Sequence, residues 1–215
     1  MKLYLKLSSA LIVLFISSCS NSPYKYLIQQ KDTDSSALRF KPEYEKTLYR
    51  CLVNGNVIFK KYHLSGLLLF KKSENGTVRA VFQNEIGITF FDFEWGSNGS
   101  FKVNAIINKL DKPVVINVLR KDMEMLLFLN VDKEHEKKFL RDRGKELYNC
   151  FSLEKGSNCY VSKDDQLLRI ENIGKKNIVT TVKIGEKNSL NSMPNSVFFD
   201  HHKAKFTIQL TKIKN

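Results

Sequence analysis

From Leu48 onward the chain repeatedly alternates apolar and polar residues and interrupts the alternation with Gly, Asn, Ser and Asp. A period of two places successive side chains on opposite faces, which is the pattern of a half-buried strand rather than of a helix. The runs cover 48–53 and 57–59 around Asn54-Gly55-Asn56, then 63–70, with Leu64, Gly66, Leu68 and Phe70 on one face. Ser73-Glu74-Asn75-Gly76 is a hairpin turn by composition. Runs at 77–83 and 87–95 follow, and Gly96-Ser97-Asn98-Gly99 leads to 101–107. A second series occupies 146–153, 158–162, 166–172, 177–184, 196–201 and 203–213. In the last run Phe206, Ile208 and Leu210 point one way, and Lys205, Thr207 and Gln209 the other.

One helix separates the two series. Asp111 is a candidate N-cap and Pro113 suits the first turn. Val115, Val118, Leu119, Leu126 and Leu129 then recur at helical spacing, with Arg120, Lys121 and Glu124 on the other side. Residues 133–143 are charged throughout and predict a short exposed helix ending at Gly144. The total is about eleven strands, too many for one flat layer, so they must stack in two layers or curl. The expected fold is mainly β: a curled antiparallel sheet, an incomplete β-barrel, with the helix as plug or lid.

The N-terminus fixes an expected location. Lys2 and Lys6 precede the apolar stretch 10–16, which is too short to span a bilayer, and Ile16-Ser17-Ser18-Cys19 is a lipobox. The reading is a signal peptide over 1–18 and lipid attachment at Cys19, the alternative being ordinary secretory cleavage after Ser18. Residue 20 is Ser and not the Asp that retains such proteins at the inner membrane, so the outer membrane is expected, with the domain facing the periplasm. Residues 19–40 comprise the lipidated cysteine and a polar tether, of which some part adds a strand or packs on the domain. Fully extended, 20–40 reach at most roughly 65 Å. Residues 41–215 form a single domain. The net charge is +13 over the full chain. The lysines are spread along the whole sequence, so a solvated basic surface is expected and no nucleic-acid partner.

Four stretches resemble the lipoprotein-localisation family, the LolA/LolB type of incomplete β-barrel closed by helices. They are the lipobox, Leu64-Ser65-Gly66-Leu67-Leu68, Gln83-Asn84-Glu85-Ile86-Gly87, and Ser192-Met193-Pro194 before the last hairpin. The resemblance implies a cavity lined by apolar side chains that shields acyl chains in transit. It also implies a membrane anchor and a lipid or acylated-protein ligand. In that family's outer-membrane member, a hairpin before the second of these turns carries an exposed apolar tip. Here the tip at 71–76 is short and polar, so the binding half of the role is implied and the membrane-insertion half is not.

Fifteen Phe enrich the strands. The candidate cavity residues are Phe70, Phe82, Phe91, Phe93, Trp95, Val118, Leu119, Leu126, Phe206 and Ile208, with Phe90 and Phe101 also considered. The competing reading is that they simply fill a barrel core. Met123 and Met125 suit either a deformable site or gap filling. A hairpin turning at Glu154-Lys155 places Cys150 opposite Cys159, where a disulfide is feasible, the alternative being two free thiols. Cys51 is left as a buried apolar residue.

Catalysis and metal binding find little support. His63, His135, His201 and His202 lack ligand spacing, and the His201-His202 pair is expected to be solvated. Asp92 and Glu94 share a strand face and are expected to be partly exposed strand charges rather than an acid–base pair. Neither a nucleophile elbow nor a phosphate loop is present. The expectation is a binding protein without cofactor or metal, not an enzyme. A structural adaptor docked on an envelope partner is the alternative.

Overall fold

The structure is a computed structural model and describes residues 24, 27–30, 36–57, 60–129 and 131–214. The signal segment, Cys19 and most of the expected tether lie outside these residues. The strands are β1 (Ile28–Gln30), β2 (Lys46–Val57), β3 (Lys60–Lys72), β4 (Val78–Gln83), β5 (Thr89–Trp95) and β6 (Phe101–Ile106), then β7 (Glu136–Arg141), β8 (Glu146–Ser152), β9 (Ser157–Lys163), β10 (Gln166–Ile173), β11 (Ile178–Ile184), β12 (Ser196–His201) and β13 (Phe206–Lys212). The α-helix among the described residues, α1, spans Pro113–Leu127 between β6 and β7. All thirteen strands join one sheet in the order β1-β7-β8-β9-β10-β11-β12-β13-β2-β3-β4-β5-β6. Every pairing is antiparallel, and the outermost strands β1 and β6 do not pair with each other.

Such a sheet must curl, and the contacts of α1 show around what. Glu124 of the helix accepts a hydrogen bond from Trp95 Nε1 on β5 (3.0 Å), near one end of the strand order. One residue on, the Met125 carbonyl accepts from the Tyr160 hydroxyl on β9 (3.1 Å), near the other end. A single helix reaches both only if the sheet wraps around it. The inner face then carries the main core, including Leu68, Phe70, Phe82, Phe93, Phe199 and Leu210. The mainly β class and the helical plug are therefore as the alternation predicts.

The differences from the sequence reading have physical causes. Asn54-Gly55-Asn56 is not a turn but continuous β2, paired with residues 61–63 of β3. Gly55 is there because the neighbouring strand leaves no room: a Cβ on it would lie 2.3 Å from Cβ of Phe206. Residues 133–143 are not a helix. A single 3-10 turn, Lys133–His135, leads into β7, whose pairing with β1 and β8 overrides a helix-favouring composition. With β1, this strand takes the count to thirteen. Asp111 does not cap α1; Lys112 occupies that position, with no side-chain cap, and Pro113 stands in the first turn.

Part of the segment before residue 41 packs on the domain. Ala37 and Phe40 of a 3-10 turn (Ala37–Phe40) are buried in the core. Tyr24 and Leu27 cover a smaller cluster on the outer face, formed by Tyr148, Cys150, Cys159, Val161 and Ile173. Cys150 and Cys159 are register partners joined by a disulfide at the centre of this cluster. Beside it, Arg169 donates to both Glu146 oxygens (2.7 and 3.0 Å) and to Glu171 (2.6 Å), and Tyr24 donates to Glu171 (2.6 Å).

The Arg169 hydrogen bonds hold the Glu146 carboxyl at about 2, below its ordinary value of 4.5. A depressed carboxylate pKa means that the unfolded chain binds the proton more readily. The stability gained is complete above about pH 4.5 and disappears as the pH falls toward 2. We expect Glu146→Gln to lose about 1 kcal/mol at pH 7. Urea unfolding as a function of pH should show a shallower acid limb in this variant than in the parent.

Candidate functional site

The space inside the curled sheet is filled unevenly. Around the second half of α1, Met125, Leu126, Leu127 and Phe128 are buried and tightly partnered. Phe128 adopts a left-handed backbone (φ 53°) as C-cap, held there by its ring against Tyr160 at 4.2 Å. Beside the first half of the helix lies a hollow of about 430 Å³. Such a volume is at the lower end of small-ligand sites, roughly 300–1,000 Å³.

Five groups of residues form the wall. The helix contributes Val115, Val118, Leu119 and Met123. The centre of the sheet contributes Cys51, Val53 and Gly55 from β2 and Leu64 and Leu68 from β3. Phe82 of β4 and Phe91 of β5 form one side, with rings 5.7 Å apart, and Phe206 and Ile208 of β13 form the other. The loop between β6 and α1 closes the remaining side with Lys109, Leu110 and Lys112, together with Pro113 and Val114 of the first helical turn. Except for the two lysines, no charged side chain stands in this wall. Burial pushes the Cys51 thiol up to about 12, so the sulfur is an inert wall atom and not a nucleophile.

Of the residues singled out from the sequence, Phe82, Phe91, Val118, Leu119, Phe206 and Ile208 line the hollow. Phe70, Phe93, Trp95 and Leu126 do not; they are core residues buried beyond it. Phe93 and Trp95 face the same side of β5 as Phe91, but the strand carries them past the hollow toward Phe101 and Glu124. The wall positions on β2 and the Lys109–Pro113 loop were not foreseen. The alternation gave Leu64 and Leu68 their face, but no local signal shows which strand lies opposite the helix.

Three sequence motifs acquire physical reasons at this end of the barrel and the other. Gly66 is obligatory because a Cβ there would lie 2.0 Å from the Gln83 carbonyl oxygen. In the turn after β4, Asn84 Oδ1 accepts from the amides of Ile86 (3.1 Å) and Ile88 (2.7 Å), and Gly87 takes φ +88°. Met193 is buried, and the Pro194 carbonyl accepts from the Tyr49 hydroxyl (2.6 Å).

The floor of the hollow conceals a polar pair. Asp122, on the buried stripe of α1, faces His201 Nε2 at 2.9 and 3.0 Å. His201 lies flat on Phe206, with ring centroids 3.8 Å apart, and its Nδ1 is 3.3 Å from the Phe206 carbonyl. The expectation of a solvated His201-His202 pair therefore holds only for His202; His201 is buried. Burial raises the Asp122 carboxyl above its ordinary value, against the pull of His201. Asp92 is likewise buried, and its carboxylate is held by Arg79 rather than paired with Glu94 (Nε to Oδ1, 2.8 Å). Among the described residues no group of three His, Cys, Asp or Glu could hold a metal ion.

A second recess of about 510 Å³ opens at the opposite end of the strands, bounded by Phe40, Leu167, Ile184 and Lys187. Its wall mixes apolar and charged groups. The Lys187 ammonium donates to the carbonyls of Phe40 (3.2 Å) and Leu190 (2.5 Å), and burial lowers it to about 8. The lysine there closes a loop over the core.

No model of a known protein family matches the chain, and no curated protein matches it. Three solved structures are similar to it at low identity. A putative outer membrane lipoprotein-sorting protein domain from Vibrio parahaemolyticus is 8% identical, with a TM-score of 0.41, over 81% of this chain and 86% of that one. A DUF1329 family protein from Desulfovibrio piger is 10% identical, with a TM-score of 0.42, over 79% and 84%. A LolA superfamily protein from Nitrosomonas europaea is 10% identical, with a TM-score of 0.37, over 82% and 88%.

Removing either member of the buried pair leaves the facing polar atoms of the other unpaired. We expect Asp122→Ala to cost about 3–5 kcal/mol, and Asp122→Asn, which keeps a hydrogen-bonding oxygen, clearly less. Urea midpoints at an unchanged slope measure both.

Proposed function

We propose that the chain is an exported lipoprotein, anchored through lipid on Cys19 at the outer membrane and facing the periplasm. Its domain holds the acyl chain of a lipid or of an acylated protein in the hollow between α1 and strands β2–β5 and β13. The observation that carries this reading is the wall: about 430 Å³ enclosed by apolar side chains from four directions, with charge only at the loop side. A polar metabolite would find nothing there to pair its hydrogen-bonding groups, whereas a hydrocarbon chain needs none. Each methylene moved out of water is worth about 0.8 kcal/mol. Ten of them supply about 8 kcal/mol before the cost of ordering the chain, enough for binding without covalent chemistry.

One further feature supports export. The Cys150–Cys159 disulfide suits an oxidising compartment. No helix among the described residues is long and apolar enough to cross a membrane. The role in trafficking is passive: the hollow shields a chain that water would otherwise exclude, and release needs only a better apolar surface. The adaptor alternative requires an interior filled by its own side chains, and the hollow argues against it.

The chain from Ser20 onward, purified from a periplasm, should carry a lipid or acyl adduct at one-to-one in native mass spectrometry, or take one up when offered. Val118→Trp should abolish the adduct while leaving the melting temperature within a few degrees, because the indole has open space to enter. A clean apo mass with no uptake removes the carrier reading. Metabolic labelling with an alkyne fatty acid tests the anchor: the full chain should be labelled and sediment with membranes, and Cys19→Ala should do neither.

A further inference from the structure

The mouth of the hollow is asymmetric in charge, and its volume limits what can enter. Lys109 and Lys112 are the only charged side chains of the wall, and both stand on the loop between β6 and α1, where the hollow meets solvent. Neither makes a salt bridge among the described residues, although Asp111 lies between them in sequence. Ala204 borders the same hollow, and its neighbours Lys203 and Lys205 are exposed. The first turn of α1, which also borders the hollow, has no acidic residue and no capping side chain, so its positive end is uncompensated. Behind this positive rim the wall is apolar throughout.

A methylene occupies about the share of one liquid water, roughly 30 Å³. A hollow of about 430 Å³ is on the scale of one chain of about fourteen carbons. We propose that the occupant is a single-chain amphiphile with an anionic head, a carboxylate or a phosphate ester, whose chain lies between α1 and the sheet and whose head meets Lys109 and Lys112. This rests on the reading of the hollow as an acyl site and adds two things to it: one chain, and a negative head. The lysines point to the charge because their exposed ammonium groups at the rim attract an anionic head more than a neutral one, and most strongly at low salt.

The test is calorimetric titration of the chain from Ser20 onward, which contains every described residue, with four probes of equal chain length. These are myristate, lysomyristoyl-phosphatidylglycerol, monomyristoylglycerol and dimyristoyl-phosphatidylglycerol. We expect myristate or the lysophospholipid, or both, to bind at one-to-one and about tenfold more tightly than monomyristoylglycerol at low salt. A preference between the two distinguishes a carboxylate from a phosphate head. The gap should close in 0.5 M salt and in the Lys109→Ala/Lys112→Ala double variant. Both positions are exposed, so the variant should melt with the parent. Equal binding of the neutral probe, or a gap that survives the double variant, overturns the anionic head and leaves the acyl site standing. One-to-one binding of the diacyl lipid as tight as that of the lysolipid overturns the single chain. Failure of all four probes overturns the acyl site itself.

Discussion

The carboxylate of Asp122 is the one charge on the buried stripe of α1, and the helix can occupy the barrel only because His201 meets it. Leu119 and Leu126, one turn to either side, and the adjacent Met123 are apolar and would tolerate small rotations or slides along the sheet. An ion-sized group inside a protein does not, since its desolvation is repaid only at the right distance and direction. The contact at 2.9 and 3.0 Å fixes the rotation of α1 relative to β12 and so decides which helical residues face the hollow and which face the packed core. Whether that pair stabilises the fold less than an apolar substitute would is a separate matter; its role is to choose one register. The stack of His201 on Phe206 extends the constraint to β13 and thus to the wall.

Curvature follows from the same arrangement. A thirteen-stranded sheet wrapped around one helix leaves an interior wider than a single helix fills. The side chains of β8 and β9 make up the difference at one side, where Tyr160 reaches inward to Phe128 and Phe151 packs on Tyr160. On the side of β2 and β3 the inward positions are smaller. Cys51 and Gly55 line the hollow at places where large residues would close the space, and Gly55, like Gly66 on β3, is enforced by the close approach of a neighbouring backbone or Cβ. The hollow is thus a consequence of strand crowding as much as of any residue placed for a ligand.

How much of this could be read from the sequence depends on the range of the interaction. Alternation and turn residues are local, so the strands from β3 to β6 and from β8 to β13 were legible to within a few residues, and so was the face of β13. The pairing of Cys150 with Cys159 needs only a hairpin turn and was legible too. β7 was not: Lys137 and Lys138 sit in a sequence that favours a helix, and only the partners β1 and β8 make it a strand. Asn54-Gly55-Asn56 has the composition of a turn and is held extended by β13, which lies far along the chain. The ten candidate wall residues divided in the same way. Strand parity identified inward-facing residues correctly, but which inward positions meet empty space depends on where α1 rests. One local signal for that existed. Asp122 interrupts an apolar helical stripe, and a buried carboxylate demands a partner of the kind that His201 offers.

Among the described residues, the polar ties of α1 to the sheet lie from Arg120 onward. Arg120 lies over Phe101, Asp122 meets His201, Glu124 accepts from Trp95, and the Met125 carbonyl accepts from Tyr160. Before Leu119 the side chains that the helix turns to the hollow are apolar, Asn117 is exposed on the other side, Val114 is exposed and the first turn is uncapped. The stability of the fold is therefore secured at one end of the helix, and the other end is left free of any directional contact that an occupant would have to break. A chain entering the hollow displaces no hydrogen bond and adds apolar contact to a helix that lacks it there, which is the energetic condition for a site that must both fill and empty.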